Sequence, residues 1–234
     1  MKKRTEPPDH VITHADLIRF PLINFTGPTP AIYLMYRARH LFAPLVNTLA
    51  QVFFRLGFSP NRLTITGALF AVMSGGFLLT GQPAVGGVIL LISGLFDVLD
   101  GAVARLSNSS SNFGAFFDSV MDRIGEAVVL LGLLIFFLNH DDGNIFGAAL
   151  VYTSLAGSIM VSYVRARAEG LGIECAVGLM QRPERVLALS IGLIIAQWWT
   201  PAIIATLIII TVLTIFTTVQ RVVEVYQTME NDKR

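Results

Sequence analysis

The chain has a single cysteine, Cys175, in 234 residues, which excludes an internal disulfide and a multi-thiolate metal centre. Its histidines, His10, His14, His40 and His140, are dispersed and form no ligand spacing. Charge is scarce too. Asp, Glu, Lys and Arg make up 14% of the residues, against about 25% in soluble domains. The formal net charge of +1 gives no sign of a nucleic-acid partner. Residues 1–9 (MKKRTEPPD) are polar, with no apolar stretch behind them long enough for a signal peptide. What fills the chain is hydrophobic: 53% of residues, with a mean hydropathy of +0.65. That is the composition of an integral membrane protein, and the length suits one domain.

The apolar segments predict an all-α membrane fold with six spans of about 17–25 residues each. They fall at 62–80, 84–105, 114–138, 144–167, 184–200 and 202–222. Short polar links separate them, among them Gly81-Gln82-Pro83 and Asn139–Gly143. Trp198 and Trp199 suit an interfacial aromatic belt.

Lys and Arg are absent from the first, third and fifth links. They collect in the N-terminal region, the second and fourth links and the C-terminal tail, with Arg123 close to the entry of span three. The positive-inside rule makes that side cytoplasmic. The expected location is the cytoplasmic membrane, with both termini facing the cytoplasm. Before the first span, Phe42, Leu45, Val46, Leu49, Val52, Phe53 and Leu56 recur every three or four residues. This pattern predicts an amphipathic helix over Phe42–Gly57, lying in the cytoplasmic interface. The expected organisation is an N-terminal extension of unknown role over 1–40, a membrane domain over 41–225 and a cytoplasmic tail over 226–234.

Between Asp97 and Asp122, four carboxylates sit at the ends of two apolar segments. An ionised Asp at a helix centre costs roughly 2.5–3.5 kcal/mol on insertion scales, so intramembrane acids mark function. Asp97 and Asp100 are spaced i,i+3, and Asp118 and Asp122 are spaced i,i+4, so each pair shares a helix face. Two antiparallel helices joined by the link around Ser107–Asn112 can turn the pairs toward each other. An all-oxygen set without Cys or His suits a hard cation: Mg²⁺, Mn²⁺ or Ca²⁺. Four carboxylates can hold two ions about 3.5–4 Å apart, as in phosphoryl transfer. Gly101, Ala104 and Gly114 leave room for a ligand beside the acids, and the Arg105 fork suits phosphate oxygens. Together they describe a metal–pyrophosphate site whose acids face the cytoplasm.

The pattern D-x2-D-G-x2-A-R-x8-G-x3-D-x3-D, met at every fixed position from Asp97 to Asp122, resembles the signature of the CDP-alcohol phosphatidyltransferases. The likeness covers about residues 40–225. It implies transfer of a phosphatidyl group from a CDP-linked lipid, CDP-diacylglycerol, to an alcohol, with release of CMP in phospholipid biosynthesis. It implies that Asp97, Asp100 and Asp118 hold two Mg²⁺ or Mn²⁺ ions, and that Asp122 also approaches the metals and acts as general base. Gly101, Ala104, Arg105 and Gly114 are implied to line the CMP pocket, with Asn61 and Thr64 touching the nucleotide from span one. A homodimer is common in the family.

A second cluster, Ser162-Tyr-Val-Arg165-Ala-Arg167-Ala-Glu169, is followed by Gln181-Arg182-Pro183-Glu184-Arg185, with Arg221 on the same side. Arg167 is read as ordinary positive-inside topology. Arg165 and Arg221 fall within apolar helices, where a bare charge needs an anionic ligand or a partner such as Glu169 or Glu184. Arginines beside a metal site suit an acceptor that carries its own phosphate. The stretch is similar to the A-R-A-E-x-x-G and E-R-P-E-R motifs of phosphatidylinositol-phosphate synthases, which use inositol 1-phosphate. There, residues matching Arg165, Arg182, Arg185 and Arg221, with Ser162 beside them, imply an acceptor-phosphate pocket. Two departures are Arg165 in place of Lys and Gln181 in place of Glu.

The alternative acceptor is glycerol 3-phosphate, as in phosphatidylglycerophosphate synthases. Serine or free inositol would need fewer arginines. The non-enzymatic alternative is a divalent-cation transporter, but the acids gather at the cytoplasmic end of two consecutive spans rather than at the midplane between repeats. Glu126, one turn beyond Asp122, is expected to form an ion pair with Arg123 or another arginine.

Overall fold

The structure, a computed structural model, describes residues 30–107, 109–139 and 143–231, with side chains from residue 43 onward. Seven helices account for the regular structure of the described residues: α1 (Pro30–Arg55), α2 (Pro60–Leu79), α3 (Pro83–Leu106), α4 (Asn112–Asn139), α5 (Ile145–Glu169), α6 (Arg182–Ile195) and α7 (Ala202–Asn231). No strand occurs among the described residues. By compactness the chain divides into Met1–Leu41 and Phe42–Arg234. Of the first unit, residues 30–41 are helical. Four helices, α2, α3, α5 and α7, are long and apolar enough to cross a membrane.

Several boundaries differ from the sequence reading. α1 begins at Pro30, well before Phe42. Residues 33–39 show no apolar period but are rich in good helix formers, Leu, Met, Ala and Arg, so propensity rather than periodicity carries the helix there. α6 stops at Ile195 instead of residue 200, because the chain turns through Gln197–Trp199 ahead of Pro201. Its 14 residues rise about 21 Å, short of a hydrocarbon core of about 30 Å. α4 is long enough, at 28 residues, but carries four charged residues, Asp118, Asp122, Arg123 and Glu126. α7 runs on to Asn231, into the stretch expected as a tail.

Proline and glycine punctuate the helices. Pro60, Pro83 and Pro183 each stand in the first turn of a helix, where a missing N–H costs nothing. α1 ends at Arg55, and Gly57 just beyond it has a φ of 78°, disfavoured for a side-chain-bearing residue. The Phe58 N–H then reaches back to the Phe53 carbonyl at 3.0 Å, and the two rings meet edge to face at 5.3 Å. Phe53 lies on the inward stripe of α1 with Val46, Leu49 and Ala50, packed on Leu63, Leu99 and Val103. Leu45, Val52 and Leu56, which share the predicted period, are exposed instead.

The main core lies deeper in the bundle. Leu78, Leu90, Leu133, Phe137, Leu193, Ile203 and Leu207 meet there from five helices. α2 packs closely on α3 and α4 through a small-residue face of Gly67, Ala71 and Gly75. A Cβ at Gly132 of α4 would collide with the Gly75 backbone, so this crossing depends on bare backbones. Buried hydroxyls add polar ties. Ser93 donates to the Gly67 carbonyl at 2.8 Å, Ser74 to that of Gly86 at 2.8 Å, and Ser154 pairs with Thr211 at 2.9 Å. Large apolar side chains cover much of the outer surface, including Leu69, Val88, Leu131, Ile159 and Val212.

Candidate active site

α3 ends and α4 begins on either side of a short Ser/Asn-rich link, which brings their acidic ends together. Asp97 and Asp100 project from α3, and Asp118 and Asp122 from α4. The fields of Asp97 and Asp118 reach Asp100, and those of Asp97, Asp100 and Asp118 reach Asp122. All four are buried or half-buried. Asp100 is 5% exposed and accepts a hydrogen bond from the Thr64 hydroxyl at 2.6 Å. A Cβ at Gly67 would stand 3.2 Å from Asp97 Oδ1, so α2 leaves that carboxylate its space.

Arg182, at the start of α6, enters this acidic face. Its Nη1 lies 2.5 Å from Asp97 Oδ2 and 2.8 Å from Asp122 Oδ1. The guanidinium thus joins one acid from each helix, and among the described residues no three acids stand ready around a single ion. The chemistry of the set still fits a hard divalent cation. It is all carboxylate oxygen, and Asp118 Oδ1 is buried with no hydrogen-bond partner. Arg182 and a cation would compete for Asp97 and Asp122.

The expected nucleotide-side residues border the acids. Ser111 accepts from the Gly114 N–H at 3.0 Å. The Asn61 side chain lies against Gly114, 3.7 Å from where a Cβ would stand. Arg105 is exposed and folds back along α3, with Nη1 3.5 Å from the corresponding point on Gly101. Ala104 is half-buried on the same turn. Thr64 is engaged by Asp100.

The basic residues do not form one open pocket. Arg165, exposed on α5, pairs with Glu169 at 2.7 Å, as expected of a charge in that helix. Ser162 sits half-buried one turn before it. Arg185 is 3% exposed and forms a two-pronged pair with Glu126 at 2.8 and 2.9 Å, so Glu126 finds its arginine on α6 rather than at Arg123. Arg221, 2% exposed, donates to the carbonyls of Val177 at 2.8 Å and Val161 at 2.5 Å. No carboxylate lies within ion-pair distance of it among the described residues, and the positive fields of Arg165 and Arg185 bear on it, opposed by that of Glu169. Beside it in the 170–181 link, burial pushes the Cys175 thiol upward, which keeps it protonated and unreactive.

A family model for CDP-alcohol phosphatidyltransferases matches residues 58–220, which contain α2 to α6 and most of α7. The chain belongs to the CDP-alcohol phosphatidyltransferase family. It is therefore a transferase, with four helices long and apolar enough to cross a membrane. The chain is 36% identical over 180 residues to the archaetidylinositol phosphate synthase of Methanothermobacter thermautotrophicus, covering 75% of this chain and 87% of that protein. It is 34% identical to the phosphatidylinositol phosphate synthase of Mycobacteroides abscessus, over 69% of this chain and 76% of that one. Among solved structures it resembles the phosphatidylinositol phosphate synthase of Mycobacterium tuberculosis with CDP-DAG bound. There the TM-score is 0.72 at 29% identity, over 78% of this chain and 94% of that one. Another structure of the same mycobacterial enzyme, in complex with manganese and citrate, gives a TM-score of 0.71 at 29% identity, over 77% of this chain and 88% of that one.

Within this phosphatidyltransferase, two contacts lay beyond the sequence reading. The Thr64–Asp100 bond spans 36 residues, and the Arg182–Asp97 contact spans 85. Residue type signalled the first, since a buried carboxylate needs donors. Nothing in the spacing signalled that α6 delivers Arg182 onto the acids.

Proposed function

We propose that the protein transfers the phosphatidyl group of CDP-diacylglycerol to inositol 1-phosphate and releases CMP. The observation that carries the acceptor assignment is Arg221. A guanidinium 2% exposed, bonded to two backbone carbonyls and reached by the fields of Arg165, Arg185 and Glu169 without a carboxylate in ion-pair contact, supports a bound anion in its neighbourhood. The inositol phosphate products named for both similar proteins support the same choice.

In this reading Asp97, Asp100, Asp118 and Asp122 hold two divalent ions, Mg²⁺ or Mn²⁺. Ions held there would supply charge neutralisation for the pyrophosphate oxygens. Asn61, Thr64, Gly101, Ala104, Arg105 and Gly114 hold the nucleotide end of the CDP-lipid. Arg165, Arg182, Arg185 and Arg221, with Ser162, orient the acceptor phosphate. Asp122 accepts the proton of the acceptor hydroxyl. The hydroxyl oxygen bonds to the lipid-side phosphorus, the pyrophosphate P–O bond breaks, and CMP leaves with the bonding electrons.

The proposed setting is six spans, α2 to α7, within a membrane domain of residues 41–225. The Phe42–Arg55 part of α1 lies in the cytoplasmic interface, with Leu45, Val52 and Leu56 toward lipid. The acids and both termini face the cytoplasm, and residues 226–234 end the chain there. The homodimer common in the family is part of this reading.

The test supplies purified protein with CDP-diacylglycerol and Mg²⁺ or Mn²⁺, offering inositol 1-phosphate, glycerol 3-phosphate, serine or inositol in turn. CMP release with inositol 1-phosphate alone is the expected result. Release with glycerol 3-phosphate instead reassigns the acceptor. Divalent-cation flux without CMP release favours the transporter.

A further inference from the structure

Between the end of α5 at Glu169 and the start of α6 at Arg182, the chain runs without a helix. The last part of this link is tied to α7 at two neighbouring points. The Val177 carbonyl accepts from Arg221 Nε at 2.8 Å, and the Met180 N–H donates to the Thr217 hydroxyl at 3.0 Å. Thr217 and Arg221 are spaced i,i+4 and share one face of α7. Thr217 is 0% exposed and Met180 is 5% exposed, so the bond between them is shielded from water.

This close approach depends on Gly178. Its φ of 139° lies in the region that favours glycine, and a Cβ there would stand 2.4 Å from Thr217 Cγ2. The Gln181 side chain closes the same turn from its far end. Its Nε2 donates to the carbonyls of Ala176 and Gly178 at 3.3 and 3.4 Å.

The tie sits where the arginines of the proposed acceptor site meet. Met180 directly precedes the Gln181 that caps α6, and Arg182 and Arg185 occupy the first turn of that helix. The Met180 carbonyl also faces Arg185 Nη1 at 3.4 Å. Arg221 stands one turn beyond Thr217 on α7. A bound anion would draw on the donors of Arg221, including the one now spent on Val177. The Thr217 bond uses none of them, so it holds the link to α7 with or without a ligand.

We propose that Thr217 is a positioning residue for the acceptor site. Its hydroxyl, through the Met180 N–H, fixes the start of α6 against α7 and so sets the spacing of Arg182 and Arg185 from Arg221. Thr217 acts through these arginines rather than by touching the acceptor. This rests on the reading of the arginines as the acceptor-phosphate site.

The test compares Thr217→Val and Thr217→Ser with wild type in the full chain. Valine keeps the shape and leaves the Met180 N–H buried without an acceptor; serine restores the hydroxyl. KM for inositol 1-phosphate, KM for CDP-diacylglycerol and kcat are measured, and hydrogen exchange over residues 176–181 reports on the tie itself. Thr217→Val should raise the acceptor KM about fivefold or more, with the CDP-diacylglycerol KM within about twofold of wild type. Exchange over 176–181 should quicken about tenfold or more. Thr217→Ser should return all three towards wild type.

An unchanged acceptor KM or unchanged exchange in Thr217→Val overturns the proposal. So does a serine variant as impaired as valine, since packing rather than the hydroxyl would then be at work. A uniform loss of kcat and both affinities, tracking folded protein, overturns it as well. Failure of the underlying reading shows in wild type alone, as CMP release that no phosphorylated acceptor supports. If wild type uses glycerol 3-phosphate instead, the same comparison with that acceptor judges Thr217.

Discussion

The Thr64 hydroxyl donates to Asp100 at 2.6 Å, tying the first turns of α2 to the last turns of α3 at a carboxylate 5% exposed. Thr64→Val keeps the shape and removes the donor. A hydrogen bond to a charged group is worth about 1.5–3 kcal/mol, so the thermal midpoint of the purified protein should fall, and CMP release with it. An unchanged midpoint and unchanged activity would show that Asp100 does not depend on this contact.

Asp122→Asn retains size and much of the hydrogen bonding but cannot take up a proton at neutral pH. CDP-diacylglycerol binding should persist, while turnover drops by about 10²–10⁴-fold. Near-normal turnover removes Asp122 from the role of base.

Arg182 holds oxygens that a divalent ion would need. Competition of this kind is reciprocal. Arg182→Met should therefore tighten Mn²⁺ binding, read by electron paramagnetic resonance, by about fivefold or more, the lower end of usual coupling. The same variant should lose acceptor affinity. Mn²⁺ binding that weakens instead would mean that Arg182 supports the ions rather than competing with them.

Chelation should abolish CMP release, and added Mg²⁺ or Mn²⁺ should restore it. Activity that survives exhaustive chelation excludes the acids from holding catalytic ions.

The α2–α4 crossing gives a paired test of packing. Gly132→Ala pushes a methyl group into the Gly75 backbone and should cost about 1–3 kcal/mol, seen as a lower thermal midpoint. Gly76→Ala, next door on α2, meets nothing within 4 Å and should be neutral or stabilising by up to about 1 kcal/mol. Equal effects from both would mean that helix propensity, not the crossing, sets the outcome.

Much of this was readable from residue order. The acidic ends of α3 and α4 converge because their spacing is local, and a tight link leaves them nowhere else to go. Glu169 was a foreseeable partner for Arg165 at i,i+4. Helix existence followed from apolar runs, yet the start of α1 did not, since propensity rather than period builds residues 30–41. The destinations of Arg182, Arg185 and Arg221 were hidden, because they depend on how α6 and α7 dock against helices 59 to 85 residues away. A periodicity argument says which face is apolar, but not which neighbour it meets.

The order of the helices also bears on acceptor choice. The carboxylates come from one contiguous hairpin, α3 and α4, while the arginines come from α5, α6 and α7. On the proposed reading, donor chemistry and acceptor choice thus fall in successive stretches of the chain. If so, a chimera joined in the α4–α5 link should inherit its acceptor from whichever parent supplies the C-terminal part.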